Sequence, residues 1–120
     1  MANRYPLTKE EVDKIPATSG VYTIYTDRLF PRLNGETDIV YIGMAKLGKS
    51  SHLKKRLMSL VTGKGRNAYP RFSRLQQVGF KLSFSYEQSD NPRQKELEEL
   101  KQYEERHLEL PPLNRSGHSI

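Results

Sequence analysis

Tyr22, Tyr41, Arg56 and Asn114, with a glutamate-rich stretch ahead of the last of them, are the residues of this chain whose types could do chemistry together. Tyrosine, arginine, glutamate and asparagine can cleave a phosphodiester without a cysteine, serine or histidine nucleophile. The guanidinium fork matches phosphate oxygens, and a carboxylate can hold a divalent ion. Each tyrosine lies beside a glycine in a β-branched run, Gly20-Val21-Tyr22 and Tyr41-Ile42-Gly43. Read alone, both runs are ordinary strand sequence, because tyrosine is common in strands. Gly43 is better explained by a close-approaching backbone or ligand than by strand propensity. His52, His107 and His118 lack metal-ligand spacing. His107 reads as a core-facing residue, and His52 lies next to a basic helix where it could touch phosphate.

These residues need strands and helices to hold them. Thr8-Lys-Glu-Glu11 is a capping box opening a short helix that stops before Pro16. Gly20 to Thr26 and Asp38 to Ala45 read as strands, and the turn-rich link from Asp27 to Thr37 as a loop or hairpin tip, so the strands should pair antiparallel. Strand alternation sends Tyr22, Ile24 and Thr26 to one face and Val21, Thr23 and Tyr25 to the other. Gly48 to Ser51 is a turn, with Ser50 or Ser51 capping the next helix. In that helix Leu53, Leu57, Leu60 and Val61 form an apolar stripe, and Thr62 to Gly65 ends it. Arg56 falls roughly 85° from the centre of the stripe, at the border of core and solvent. Tyr69 to Val78 is a second helix, Phe80 to Tyr86 a third strand, and Ser89 or Asp90 caps a long helix running to about Leu108 before Pro111-Pro112. On that helix Leu97, Leu100, Tyr103, His107 and Leu108 define the apolar stripe. Glu98 points away and Glu99 sits on the far border, which leaves Glu96 and Glu104 within it. A carboxylate facing the core is costly unless paired or metal-bound.

The order is β-β-α-α-β-α: an α/β (α+β) fold with a small, three-stranded, mostly antiparallel sheet flanked by helices. A chain of 120 residues is one domain. Its core should span about residues 16–115, with a helical extension over residues 1–15 and a polar tail over 116–120. There is no cysteine, hence no disulfide framework or thiolate zinc site. No apolar run reaches the ~20 residues needed to cross a bilayer, and the N-terminus lacks the apolar segment of a signal peptide. The expectation is a cytoplasmic protein without a membrane partner.

The net charge is +6, and its distribution is one-sided. Between Asp38 and Glu87 there is no acidic residue, against ten basic ones: Lys46, Lys49, Lys54, Lys55, Arg56, Lys64, Arg66, Arg71, Arg74 and Lys81. Glu87 to Leu110 carries eight acids against Arg93, Lys95, Lys101 and Arg106. A regional basic field suits a polyanion, since each neutralised phosphate releases counterions.

Taken together the chain resembles the GIY-YIG nuclease family. Gly20-Val21-Tyr22 stands for its first signature, Tyr41-Ile42-Gly43 for its second, and Leu53-Lys54-Lys55-Arg56-Leu57 for its arginine helix. The glutamate helix and Pro-Pro-Leu-Asn114 follow in family order. The resemblance implies a metal-dependent DNA endonuclease. Tyr22 and Tyr41 would line the site, one of them (Tyr41 by slight preference) activating water. Arg56 would hold the scissile phosphate, Glu96 would bind one Mg2+ or Mn2+, and Asn114 would brace the site. Gly20 and Gly43 would be structural. Lys46, Lys49, His52, Lys54, Lys55, Lys64, Arg66, Arg71 and Arg74 would contact DNA, branched or damaged DNA among the options. A neighbouring cation would lower a tyrosine pKa of about 10 toward usefulness. Three departures accompany the match. The link over residues 23–40 is long, implying an extra hairpin or loop at Asp27 to Thr37. Leu60 stands where several family nucleases have histidine. Glu96 lies further before Asn114 than in compact repair-type members, which keeps Glu104 and Glu99 as alternative metal ligands. A lone small domain would be weakly specific, dimeric or directed by a partner protein. The competing readings are a nucleic-acid binder that kept the fold without turnover, and a scaffold that binds proteins through the acidic helix.

Overall fold

Gly20 opens a run in which β-branched and aromatic residues alternate, and this run becomes the centre of the sheet. The computed structural model of the chain describes residues 3–49, 51–62 and 69–114, the side chains of residues 69–71 excepted. Its elements are β1 (Tyr5–Pro6), α1 (Lys9–Val12), β2 (Gly20–Pro31), β3 (Glu36–Ala45), α2 (Leu53–Thr62), α3 (Tyr69–Gln77), β4 (Leu82–Gln88) and α4 (Pro92–His107). The sheet is antiparallel in the order β1-β4-β2-β3. The mixed α+β class is as expected, but the sheet has four strands where the sequence pointed to three. The added strand, β1, pairs Tyr5 with Phe84 and Pro6 with Ser83. A strand this short carries no alternation to read. The pairing is stabilised from outside, by the Tyr5 ring 5.6 Å from that of Phe84.

The Asp27–Thr37 stretch is less loop than expected. β2 continues to Pro31 and β3 begins at Glu36, with register shifts between Ile24 and Tyr25 and between Tyr25 and Phe30. Only residues 32–35 turn, and Gly35 takes the positive φ of 76° that the turn requires. Pro31 is tolerated because β2 has left its second partner by then: the pairing with β4 ends at Thr26. The tip is held to the end of α4, where the Asn34 N–H donates to the His107 carbonyl (3.2 Å) and Arg32 Nη1 to the Leu110 carbonyl (2.8 Å).

Alternation along β2 splits the core. Tyr22 and Ile24 face a cluster with Leu53, Leu57, Leu60, Phe72 and Phe84, under α2 and α3. Val21 faces a second cluster with Ile42, Leu100 and Tyr103, under α4. The Leu53 and Leu57 side chains are fully buried, worth about 1.5–3 kcal/mol each.

Two helix starts differ from expectation. Asn91, not Ser89 or Asp90, caps α4, its Oδ1 accepting from the Gln94 N–H. Pro92 occupies the first helical position, so the cap must be the residue before it. At α2 the acceptor is His52, whose Nδ1 takes the Lys55 N–H at 3.1 Å, rather than Ser51. Ser50 lies outside the described residues, as does the Gly63–Gly65 helix stop. Thr8 does cap α1, accepting from the Glu11 N–H. Among the described residues no helix is long and apolar enough to cross a membrane.

Candidate active site

β2 and β3 bring the two tyrosines onto one face. Tyr22 pairs with Gly43 and Ile24 with Tyr41, so the two rings are diagonal neighbours, with centroids 6.0 Å apart. Gly43 is what lets them meet. A Cβ there would stand 2.7 Å from Tyr22 Cζ, Tyr22 Oη and Tyr41 Cε2. The glycine makes room for two side chains of the site itself, not for a backbone or ligand as its strand position implied. Gly20 has a different reason: a Cβ would run into the Glu87 carbonyl oxygen and lie 2.7 Å from Leu53 Cδ1, so it lets α2 and β4 close on β2.

Arg56 projects from the border of α2 and is exposed, with its Nε 3.5 Å from Ser51 Oγ. It makes no ion pair with a described residue. Glu96 lies in the early turns of α4 and is 3 % exposed, whereas Glu104 is exposed. This separates the two glutamates that the helix pattern leaves together. The apolar stripe is also narrower than the sequence pattern implies: Leu108 is 61 % exposed, as the left-handed C-cap of α4.

Arg56 and Glu96 both act electrostatically on the two phenols. Burial pushes the Tyr22 hydroxyl far up. Tyr41 and Glu96 push the same way, while Arg56 pulls down. Tyr41 is also raised, by burial first and then by the Glu96 charge, with Tyr22 and Arg56 pulling it down. The polar contact between the hydroxyls raises Tyr22 and lowers Tyr41. The lowering expected from a neighbouring cation is present but loses to burial. Without a further cation both phenols are neutral at pH 7.

Asn114 is placed by a two-point clamp. Its Oδ1 accepts from the Ile42 N–H (3.0 Å) and its Nδ2 donates to the Ile42 carbonyl (2.9 Å). With the Leu113 N–H donating to the Val40 carbonyl (2.8 Å), the chain after Pro112 runs along the open edge of β3. The clamp thus holds the backbone between Tyr41 and Gly43. We expect Asn114→Ala to lower stability by about 1–2 kcal/mol, read as a shifted urea midpoint at unchanged slope. Asn114→Asp should be no better, because it presents a carboxylate to the Ile42 carbonyl.

Of the basic residues, Lys46, Lys49, Lys55 and Arg74 are exposed and His52 and Lys54 half-buried. Lys64, Arg66 and the Arg71 side chain lie outside the described residues. Among the described residues no three His, Asp or Glu side chains converge on one point. Glu99, the third glutamate considered, is half-buried about one turn beyond Glu96, beside Thr23 and Tyr25, with its Oε2 shielded from solvent. Burial raises its pKa, against the pull of Lys95 and with help from Glu87, Glu96 and Glu98. A raised carboxyl stabilises the fold only while protonated, so its contribution is complete below the ordinary value of about 4.3 and is lost as pH rises through the folded value. Glu99→Gln should therefore raise Tm at pH 7, by only about 2 °C because the group is half-exposed and screened. The gain should vanish at a pH of about 4. Melting curves at the two pH values check this.

No family model matches the chain, and neither a curated protein nor a solved structure matches it.

Proposed function

We propose that this chain is a divalent-metal-dependent endonuclease of the GIY-YIG kind, hydrolysing phosphodiester bonds in DNA. One observation carries the reading. Two phenols packed against each other over Gly43 feel both the exposed Arg56 guanidinium and the buried Glu96 carboxylate. In this scheme Arg56 takes the non-bridging oxygens of the scissile phosphate and neutralises the charge that builds there. Tyr41, the more exposed of the two phenols, holds and orients the attacking water. Lys46, Lys49 and Lys55 bind flanking phosphates. Asn114 keeps β3 straight beneath the pair. The donor set fits Mg2+: one hard carboxylate, Glu96, suits an ion that keeps most of its waters. Bound there, the ion supplies positive charge for the phosphate and the leaving oxygen and draws down the pKa of nearby groups. Targeting to particular DNA, branched or damaged, would come from a second copy or a partner protein.

The raised phenols favour a second reading, a DNA-binding module of the same fold without turnover, since burial moves them the wrong way for a base. Nicking of supercoiled plasmid with Mg2+ or Mn2+ decides between them. The nuclease reading expects cutting that EDTA stops, that falls about 10²-fold or more in Glu96→Ala, and that Glu104→Ala leaves within twofold. Unchanged cutting in Glu96→Ala sinks the site. Salt-sensitive DNA binding without cutting identifies the binder.

A further inference from the structure

The opposite face of the sheet carries a second feature, independent of the reading above. α4 packs on β3 and β2. Two adjoining cavities of about 510 and 360 Å³ lie beside it. Both are lined by Arg4, Thr23, Tyr25 and Glu99, so together they form one trough along α4. Its floor is the Val21-Thr23-Tyr25 face of β2, turned away from Tyr22, with the Tyr25 hydroxyl 2.8 Å from Ser85 Oγ.

The trough already contains a cation from its own chain. The Arg4 guanidinium carbon lies 3.6 Å from the Tyr25 ring centroid, and Nη1 is 2.6 Å from Asp38 Oδ2. A planar cation over an aromatic face with a carboxylate at its edge is how proteins recognise guanidinium groups. Arg4 is half exposed, and an ion pair so exposed is weak, so an outside ligand can displace it. Apart from Arg4 and Arg106, the charged Asp, Glu, Lys and Arg side chains of the lining are acidic. Glu87 is paired with Lys95, but Glu36 and Glu99 form no ion pair with a described residue, and Glu99 Oε2 is shielded from water without a hydrogen-bond partner among the described residues. Arg106 stands at the end of the larger cavity. We propose that this trough is a binding site for a guanidinium group, free or carried on a peptide, in which Arg4 is a displaceable internal occupant and Glu99 the principal acidic wall.

Amide-resolved NMR titration tests it, with N-acetyl-arginine amide as probe and N-acetyl-citrulline amide as its neutral isostere. The arginine probe should shift the amides of Thr23, Tyr25, Ser85 and Glu99 saturably, and citrulline should not. Arg4→Ala empties the ring and Asp38 and should tighten binding at least threefold. Arg4→Gln, which keeps a long side chain without the charge, should act the same way. Glu99→Gln should weaken binding at least threefold. Free arginine binding more tightly than acetyl-Gly-Arg-Gly-amide identifies a small-molecule site, and the reverse order a peptide site; either supports the proposal. Equal shifts with citrulline, unchanged or weaker binding in both Arg4 variants, or shifts confined to the exposed Glu98 and Glu105 overturn it.

Discussion

Arg56→Ala is expected to slow plasmid nicking about 10²–10³-fold while moving Tm by no more than a degree or two. The activity loss follows from geometry. Arg56 is exposed at the border of α2, makes no ion pair with a described residue, and acts on the buried Tyr22 and the partly buried Tyr41. The one hydrogen bond of its guanidinium to a described side chain is the long contact to Ser51 Oγ, 3.5 Å, so its removal costs the fold little. Arg56→Lys should recover part of the rate only, because an ammonium keeps the charge but not the fork. Lys55→Ala is the control for general electrostatics: one helix position away and exposed, it should weaken DNA binding and flatten its salt dependence with a rate loss under about tenfold at saturating DNA. Equal rates for wild type and Arg56→Ala would remove the arginine from the mechanism.

The resting state of the site constrains that mechanism further. Burial outweighs Arg56 at both phenols, so the protein alone keeps them protonated. On the proposed nuclease reading, the basic character that hydrolysis needs arrives with the bound ion and substrate. Activity should therefore rise with pH across the neutral range rather than show a plateau set by a free tyrosinate.

The parts of the site that were legible in the sequence are those fixed by periodicity. Strand alternation put Tyr22 on the Ile24 face, and helical spacing put Glu96 on the buried side of α4 and Arg56 at a border; all three positions hold. What periodicity cannot show is contact between elements. β1 is too short to have a pattern and exists through Phe84. Gly20 answers to the Glu87 carbonyl and Leu53, both far along the chain. The clamp of Asn114 on Ile42 depends on which edge of the sheet the C-terminal segment reaches. Periodicity misplaces Glu104 and Leu108 because the buried stripe of α4 is narrower than its apolar residues suggest. The helix covers β3 and part of β2, and the residue that caps it turns left-handed into solvent.

Gly43→Ala should destabilise the protein at the tyrosine pair itself, and its sign is informative. Glycine inside a strand ordinarily costs about 0.5–1 kcal/mol relative to alanine, so a strand position with free space above it gains stability from the change. Here the added methyl meets three atoms at 2.7 Å, two on Tyr22 and one on Tyr41. Both rings are packed, Tyr22 at 4 % exposure over Gly43 and Tyr41 edge-on to Phe72 at 5.6 Å, so neither can retreat without disturbing α3. Overpacking of this kind costs about 1–3 kcal/mol, which reverses the ordinary gain and should appear as a lowered urea midpoint. Tyr22→Phe removes the hydroxyl oxygen from the clash. In a double-mutant cycle the cost of Gly43→Ala should then fall by about 0.5–1 kcal/mol in the Tyr22→Phe background. Nicking should drop in Gly43→Ala even where the protein remains folded, since the methyl drives apart the two hydroxyls whose approach defines the site. A stable, fully active Gly43→Ala protein would mean that the tyrosine pair is core packing and that the water-handling group lies elsewhere.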